Sequence, residues 1–233
     1  MPPPGDRQSQ PERSAPDTDA VVRHKRAAAQ AAADLVREDM RVGLGTGSTV
    51  AQLLPALAAR GLAGLRCAAT SPATARSATA LGLTVVELDE LGELDIAIDG
   101  ADQIDAAGWL IKGGGGAHTR EKIVAAAAHR FVVIASAEKA VSALRPPVPL
   151  EILRFAPHTT LAAIAPARLR DAPPSPDHNL IADYLGPIEQ PELLAARLSA
   201  TPGVVEHGLF APSLLSDVLI AGDGGVEHRR LRC

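Results

Sequence analysis

Short, near-continuous apolar runs alternate along this chain with longer stretches whose apolar residues recur at helical spacing. Arg41 to Gly45, Leu65 to Ala69, Thr84 to Leu88, Leu94 to Ile98 and Phe131 to Ala135 have the pattern of strands buried on both faces of a sheet. Between them, helices are predicted from Thr18 or Asp19, whose side-chain oxygens suit an N-cap, to about Asp39, and from Ser48 to Arg60 around an irregularity at Pro55. Two more are predicted from Ser71-Pro72 to about Leu81 and from Ala117 to His129. The alternation predicts an α/β fold, an open sheet with helices on both faces.

Pro146, Pro147 and Pro149 punctuate the chain, and the pattern changes after them. A strand (Glu151 to Phe155), a helix (Thr159 to Leu169), a proline-rich turn, a strand (Leu180 to Leu185), a helix (Pro191 to Ala200) and a strand (Val204 to Phe210) follow. These make a small α+β unit, marginal on its own and so expected to lean on the larger one. Asp217 to Ala221 reads as a strand returning to the large sheet, and Arg229, Arg230 and Arg232 as a solvated end. The organisation predicted is a disordered tail over 1–17, a large domain over 18–146 and 211–233, and a small α+β domain over 147–210.

Aromatic residues are only 2% of the chain, so its core must be built from Ala, Val, Ile and Leu. A formal net charge of −4 offers no basic field for nucleic acid or an anionic membrane. Cys67 and Cys233 cannot make a disulfide scaffold, and Cys233, as the last residue, cannot start a prenylation box. No apolar run reaches the ~18 residues of a membrane span. The proline-punctuated, acidic N-terminus reads as neither signal nor transit peptide. The expected compartment is the cytoplasm.

Three loops at strand ends carry the candidate chemistry. Gly43 to Thr49, G-L-G-T-G-S-T, joins a strand to a helix, where glycines permit close backbone approach and the helix start offers N–H groups to an anion. Gly47 stands where a Walker loop needs lysine, and no acidic residue lies between Thr49 and Val86 to hold a dinucleotide ribose. Asp99 to Asp105, D-G-A-D-Q-I-D, lacks the alternate carboxylate spacing of a calcium loop. Its aspartates read either as turn formers or, for Asp99 at the sheet edge, as a working charge. Lys112 to Gly116, K-G-G-G-G, offers a cation for a developing oxyanion and a bare backbone to approach a small ligand. Glu121, one turn into the next helix, reads as a general base or as an ordinary solvent-facing glutamate. Seven scattered histidines form no metal-binding motif, so no metal is expected.

Taken in this order, GLGTGST (Gly43 to Thr49), DGAD (Asp99 to Asp102), LIKGGGGA (Leu110 to Ala117) and REKIVA (Arg120 to Ala125) resemble the type A ribose-5-phosphate isomerases. Lys139, P-L-E-I (Pro149 to Ile152) and GVVEHGLF (Gly203 to Phe210) extend the likeness over about residues 19 to 226. The resemblance implies a Rossmann-like sheet domain with a small α+β lid domain, and the cofactor-free interconversion of ribose 5-phosphate and ribulose 5-phosphate. It also implies a homodimer or homotetramer. Carried over, Thr46, Gly47, Ser48 and Thr49 cradle the phosphate with Lys25 nearby. Glu121 moves the proton, while Lys112 with the N–H groups of Gly113, Gly114 and Gly115 holds the oxyanion. Asp99 handles hydroxyl protons and ring opening, and Gly100, Ala101, Asp102 and Lys139 complete the pocket.

The chain departs from the family pattern at four places. Gln103 stands where glutamate is usual, Ser136 where an acid is common, and His118-Thr119 where the pair is more apolar. Ser175-Pro176-Asp177-His178-Asn179 replaces the lid's Asp-Asn-Gly-Asn turn. A paralogue acting on another sugar phosphate, a non-catalytic sugar-phosphate sensor and an acyl- or CoA-transferring relative are the alternatives.

Overall fold

The computed structural model of the protein describes residues 18–231; the expected disordered tail, Arg232 and Cys233 lie outside the described residues. Helix α1 (Thr18–Ala33) leads to β1 (Arg41–Leu44), α2 (Val50–Ala58), β2 (Arg66–Ala69), α3 (Pro72–Ala80), β3 (Thr84–Val85), the single turn α4 (Leu88–Leu91) and β4 (Ile96–Gly100). The short pair β5 (Gln103–Ile104) and β6 (Leu110–Ile111) precedes α5 (His118–Ala126) and β7 (Phe131–Ser136). Then come β8 (Val148–Ile152), α6 (Pro157–Ala163), β9 (Ala167–Leu169), β10 (Leu180–Tyr184), α7 (Pro191–Ser199) and β11 (Val204–His207). The chain returns through β12 (Leu209–Phe210), β13 (Asp217–Gly222) and β14 (Gly225–Arg230).

The large sheet runs β14-β13-β7-β4-β1-β2-β3, parallel except for the edge strand β14. It is covered on both faces, which is why its central strands are apolar along most of their length, with polar residues only at their ends (Arg41 of β1, Asp99 of β4, Ser136 of β7). Val132 and Ile134 of β7 pack with Ala28, Ala29 and Ala32 of α1 and Leu53 and Leu57 of α2. Val133 and Ala135 face the opposite way, toward Val124 and Ala125 of α5 and Phe210. Strand order reverses between β1 and β4, and at such a switch the loops after the two strands diverge and leave a crevice. A second sheet, β11-β8-β10-β9, has its own core of Leu150, Ile152, Ala182 and Tyr184, which continues into Ile111 and Leu209 of the three-stranded sheet β12-β6-β5.

Several predicted boundaries move, each for a local reason. Helix α1 stops at Ala33 rather than Asp39, because Arg60 caps it by donating to the carbonyls of Ala33 and Val36. The strand expected over Glu151 to Phe155 is β8, which starts earlier at Val148 and includes Pro149; Phe155 is outside it and exposed. Pro149 is accommodated there, its carbonyl accepting from the Gly208 N–H at 2.7 Å. The helix expected to reach Leu169 ends at Ala163, and Pro166 lets the chain re-form as β9. The strand expected over Val204 to Phe210 breaks at Gly208 into β11 and β12, where a Cβ would lie 2.1 Å from the Lys112 carbonyl oxygen. Thr84 to Leu88 yields only a two-residue strand before α4. The presumed solvated end is the antiparallel edge β14, whose exposed charges guard that edge against further pairing.

Candidate active site

The loops after β1 and β4 meet at the switch point. Asp99, next to last in β4, is 3% exposed, and its Oδ1 accepts from the N–H groups of Thr46 (3.1 Å) and Gly100 (2.7 Å). Gly45 makes room for this carboxyl: a Cβ there would sit 1.9 Å from Asp99 Cγ. Lys112 enters from the end of β6, also 3% exposed, and its ammonium donates to the Gly100 carbonyl at 2.5 Å. The same nitrogen lies 2.9 Å from Asp99 Oδ2 and 3.1 Å from Glu121 Oε2, ion contacts rather than aligned hydrogen bonds. Glu121, in the first turn of α5, is 4% exposed, which removes the solvent-facing alternative.

One buried ammonium thus bridges two buried carboxyls. Burial pushes the Glu121 carboxyl up to about 8; the nearby Asp99 charge adds to the rise and Lys112 opposes it. Burial likewise raises Asp99, against the pull of Lys112. Burial opposes the charge on Lys112, but the two carboxylates outweigh it and hold the ammonium protonated above its ordinary range. The triad titrates as a unit, with a carboxyl group that is able to gain and lose a proton near neutral pH.

Beside the triad lies a cleft of about 120 Å3. Lys25, Thr46 to Thr49, Gly100 to Asp102, Lys112 to Gly115, Glu121 and Lys139 line it, whereas Asp99 is beneath its wall. Lys25 donates to Ser48 Oγ at 2.9 Å, and Thr46 Oγ1 is 2.7 Å from Thr70 Oγ1. Thr49, the N-cap of α2, makes no side-chain capping bond, so its hydroxyl remains available to a ligand at that helix start. Lys139 arrives on the 3-10 turn Ala137–Lys139 after β7. Among the described residues no group of three or more His, Cys, Asp or Glu is arranged to hold a metal ion.

No residue of the second sheet reaches the cleft, yet that sheet holds the helix carrying Glu121 on both sides of it. Thr119 donates to Glu151 Oε2 (2.5 Å), Arg120 pairs with Asp177 (2.6 Å), and Lys122 pairs with Glu206 (2.7 Å). Glu151, fully buried in β8, also accepts from Ser175 Oγ (2.6 Å) and Asn179 Nδ2 (2.8 Å). The altered turn at Ser175 to Asn179 is therefore the cover of a buried carboxylate. His118 packs under Gly113, and desolvation with the adjacent Lys122 charge lowers it to about 3, a neutral imidazole. Arg170, between β9 and β10, pairs with Asp183 and donates to the carbonyls of Gly113 (3.2 Å) and Gly114 (3.0 Å). The role of Glu151 was visible only as part of a P-L-E-I match. Arg170 and Asp183 left no signal, since their contacts join segments far apart in the chain.

Gln103 does not line the cleft. Its amide donates to the Arg145 carbonyl and accepts from the Arg145 N–H, both at 2.8 Å. A carboxylate can only accept, so Gln103→Glu should set a charge against the Arg145 carbonyl and cost about 1 kcal/mol of stability. The preferred sugar should not change. Thermal melts and a sugar-phosphate panel test both points, and a switch of substrate would make Gln103 a specificity determinant.

A family model, ribose 5-phosphate isomerase A (phosphoriboisomerase A), matches residues 66–225. Ribose-5-phosphate isomerase A of Caulobacter vibrioides is 48% identical over 217 residues, covering 87% of this chain and 95% of that protein. Among solved structures, ribose 5 phosphate isomerase A from Neisseria gonorrhoeae superposes with a TM-score of 0.86 at 33% identity, covering 91% of this chain and 98% of that one. A D-ribose-5-phosphate isomerase in complex with phospho-erythronic acid matches with a TM-score of 0.86 at 32% identity, over 90% of this chain and 99% of that one.

Proposed function

The chain belongs to the ribose 5-phosphate isomerase A family, and we propose that it interconverts D-ribose 5-phosphate and D-ribulose 5-phosphate with Glu121 as the base. It is an aldose–ketose isomerase of the non-oxidative pentose phosphate pathway. The observation that carries the assignment of roles is the ammonium of Lys112 held between the buried carboxyls of Asp99 and Glu121.

The phosphate rests on Thr46 to Thr49, with Lys25 and Lys139 supplying positive charge. Asp99 assists opening of the sugar ring by handling the hydroxyl proton. Glu121 then takes the C2 proton of the open aldose. The C2–H pair becomes the C1–C2 double bond, and the carbonyl pair moves onto O1. Lys112 and the Gly115 N–H meet the enediolate charge, whereas the Gly114 N–H, expected to join them, is held by Asp102 at 2.8 Å. Lys112, held by Asp99 beneath the cleft wall, passes a proton to O1 and recovers one from O2, and Glu121 returns its proton to C1, giving the ketose with no net change in protons. Gly100, Ala101 and Asp102 shape the wall beside the reacting carbons.

Family likeness supports three further parts of this reading: residues 147–210 act as a smaller unit beside the catalytic one, the chain assembles as a homodimer or homotetramer, and it works in the cytoplasm. Among the described residues no helix is long and apolar enough to cross a membrane.

A coupled assay on ribose 5-phosphate against other pentose and tetrose phosphates tests the substrate. The base must be ionised to act, so kcat/KM should rise with pH along a limb that reaches its plateau only above about 8. A limb at ordinary carboxylate pH would contradict the burial argument for Glu121. Binding of the sugar phosphate without exchange of its C2 proton would make the protein a sensor.

A further inference from the structure

We propose that Arg170 is a positioning residue that aims the Gly115 N–H of the glycine loop at the reacting oxygen, so that the second sheet acts on catalysis through backbone it does not contain. The inference rests on the isomerase reading above.

Four consecutive glycines, Gly113 to Gly116, have no side chains to restrict them; the loop's own bond from the Gly116 N–H to the Gly113 carbonyl (3.0 Å) closes the turn, and contacts from outside set the remaining peptide directions. Arg170 does this with one nitrogen: Nη1 donates to both Gly113 O (3.2 Å) and Gly114 O (3.0 Å). Its other edge is locked, Nε at 3.2 Å and Nη2 at 2.5 Å from the two oxygens of Asp183, which β10 fixes. A trans peptide points its N–H opposite to its C=O. Pinning the Gly113 carbonyl therefore sets the Gly114 N–H, which meets Asp102 Oδ2 at 2.8 Å. Pinning the Gly114 carbonyl turns the Gly115 N–H away from Arg170, and Gly115 lines the cleft. Arg170 itself does not line the cleft, so its only route to the chemistry is this loop.

A lysine could keep the charge beside Asp183 but has no planar fork to serve a carboxylate and two carbonyls together. The experiment compares Arg170→Ala, Arg170→Lys and wild type by steady-state kinetics, melting temperature and binding of two probes. Phospho-erythronate carries a planar carboxylate that spreads charge over two oxygens as the enediolate does, and inorganic phosphate tests the phosphate cradle alone.

Removing a single oxyanion donor typically costs about 10²- to 10³-fold in kcat, so kcat of Arg170→Ala should fall by at least ~10-fold with KM within about threefold. Phospho-erythronate should bind at least ~10-fold more weakly while inorganic phosphate stays within about twofold, and Arg170→Lys should fall between the two on both measures. If Arg170→Ala does not fold, Arg170→Lys carries the test with the same split. Wild-type kcat in both variants, or parallel loss of both probes with a falling melting temperature, would overturn the proposal. A wild-type protein that fails to isomerise would overturn the functional reading instead, and the two failures are told apart by that control.

Discussion

Replacing Glu121 with glutamine should lower turnover of ribose 5-phosphate by at least ~10², and by as much as ~10⁴, while the protein still binds sugar phosphate. The amide keeps the size of the side chain in a site only 4% exposed, but it cannot accept a proton from carbon. Thr46 to Thr49, Lys25 and Lys139 are untouched, so phosphate affinity persists. Exchange of the C2 proton with solvent should stop in step with isomerisation, because both need the same abstraction. A Glu121→Gln protein within about tenfold of wild type would remove this glutamate from the mechanism. Retention of activity there, with its loss in Asp99→Asn, would move the base to the other carboxyl across Lys112.

What the sequence disclosed, and what it withheld, follows from how far apart the interacting groups lie in the chain. Strands β1, β4 and β7 were legible because burial on both faces makes them mostly apolar runs, and β1 and β4 each end in a loop of unusual composition. Asp99 was legible as a candidate because a carboxyl ending an apolar strand stands out. That Glu121 is buried was not legible: the polar His118-Thr119-Arg120 run before it looks solvent-facing. These side chains are polar because they reach the second sheet at Glu206 and Glu151 and the turn before β10 at Asp177. Strand β14 was missed because an edge strand facing water carries charge rather than the apolar pattern. The hold of Arg170 on the glycine loop required knowing that the segment after β9 meets the loop after β6, which only the fold establishes.

Lys112→Ala should have an effect of the same order as loss of the base, but with a different dependence on pH. Removing the ammonium deletes an oxyanion donor, worth about 10²- to 10³-fold in kcat. It also leaves Asp99 and Glu121 facing each other without the cation that now lies 2.9 Å and 3.1 Å from them. The Lys112 charge lowers both carboxyls, so its loss must raise them, and Glu121 already stands at about 8 with the cation present. The acidic limb of kcat/KM should therefore move upward, and activity near neutral pH should fall further than activity on the alkaline plateau. Stability should follow the same sign. A carboxyl whose folded value exceeds its unfolded one is protonated in the native state while the unfolded chain has already ionised, so folding weakens as pH rises between the two values. That window begins near the ordinary values of 3.8 and 4.5 and extends past about 8 in the variant. Melting temperature should thus decline from pH 5 to pH 9 more steeply in Lys112→Ala than in wild type, with the difference greatest at the alkaline end. An unmoved limb, or a melting curve parallel to wild type across that range, would show that Lys112 does not set the protonation of the two carboxyls.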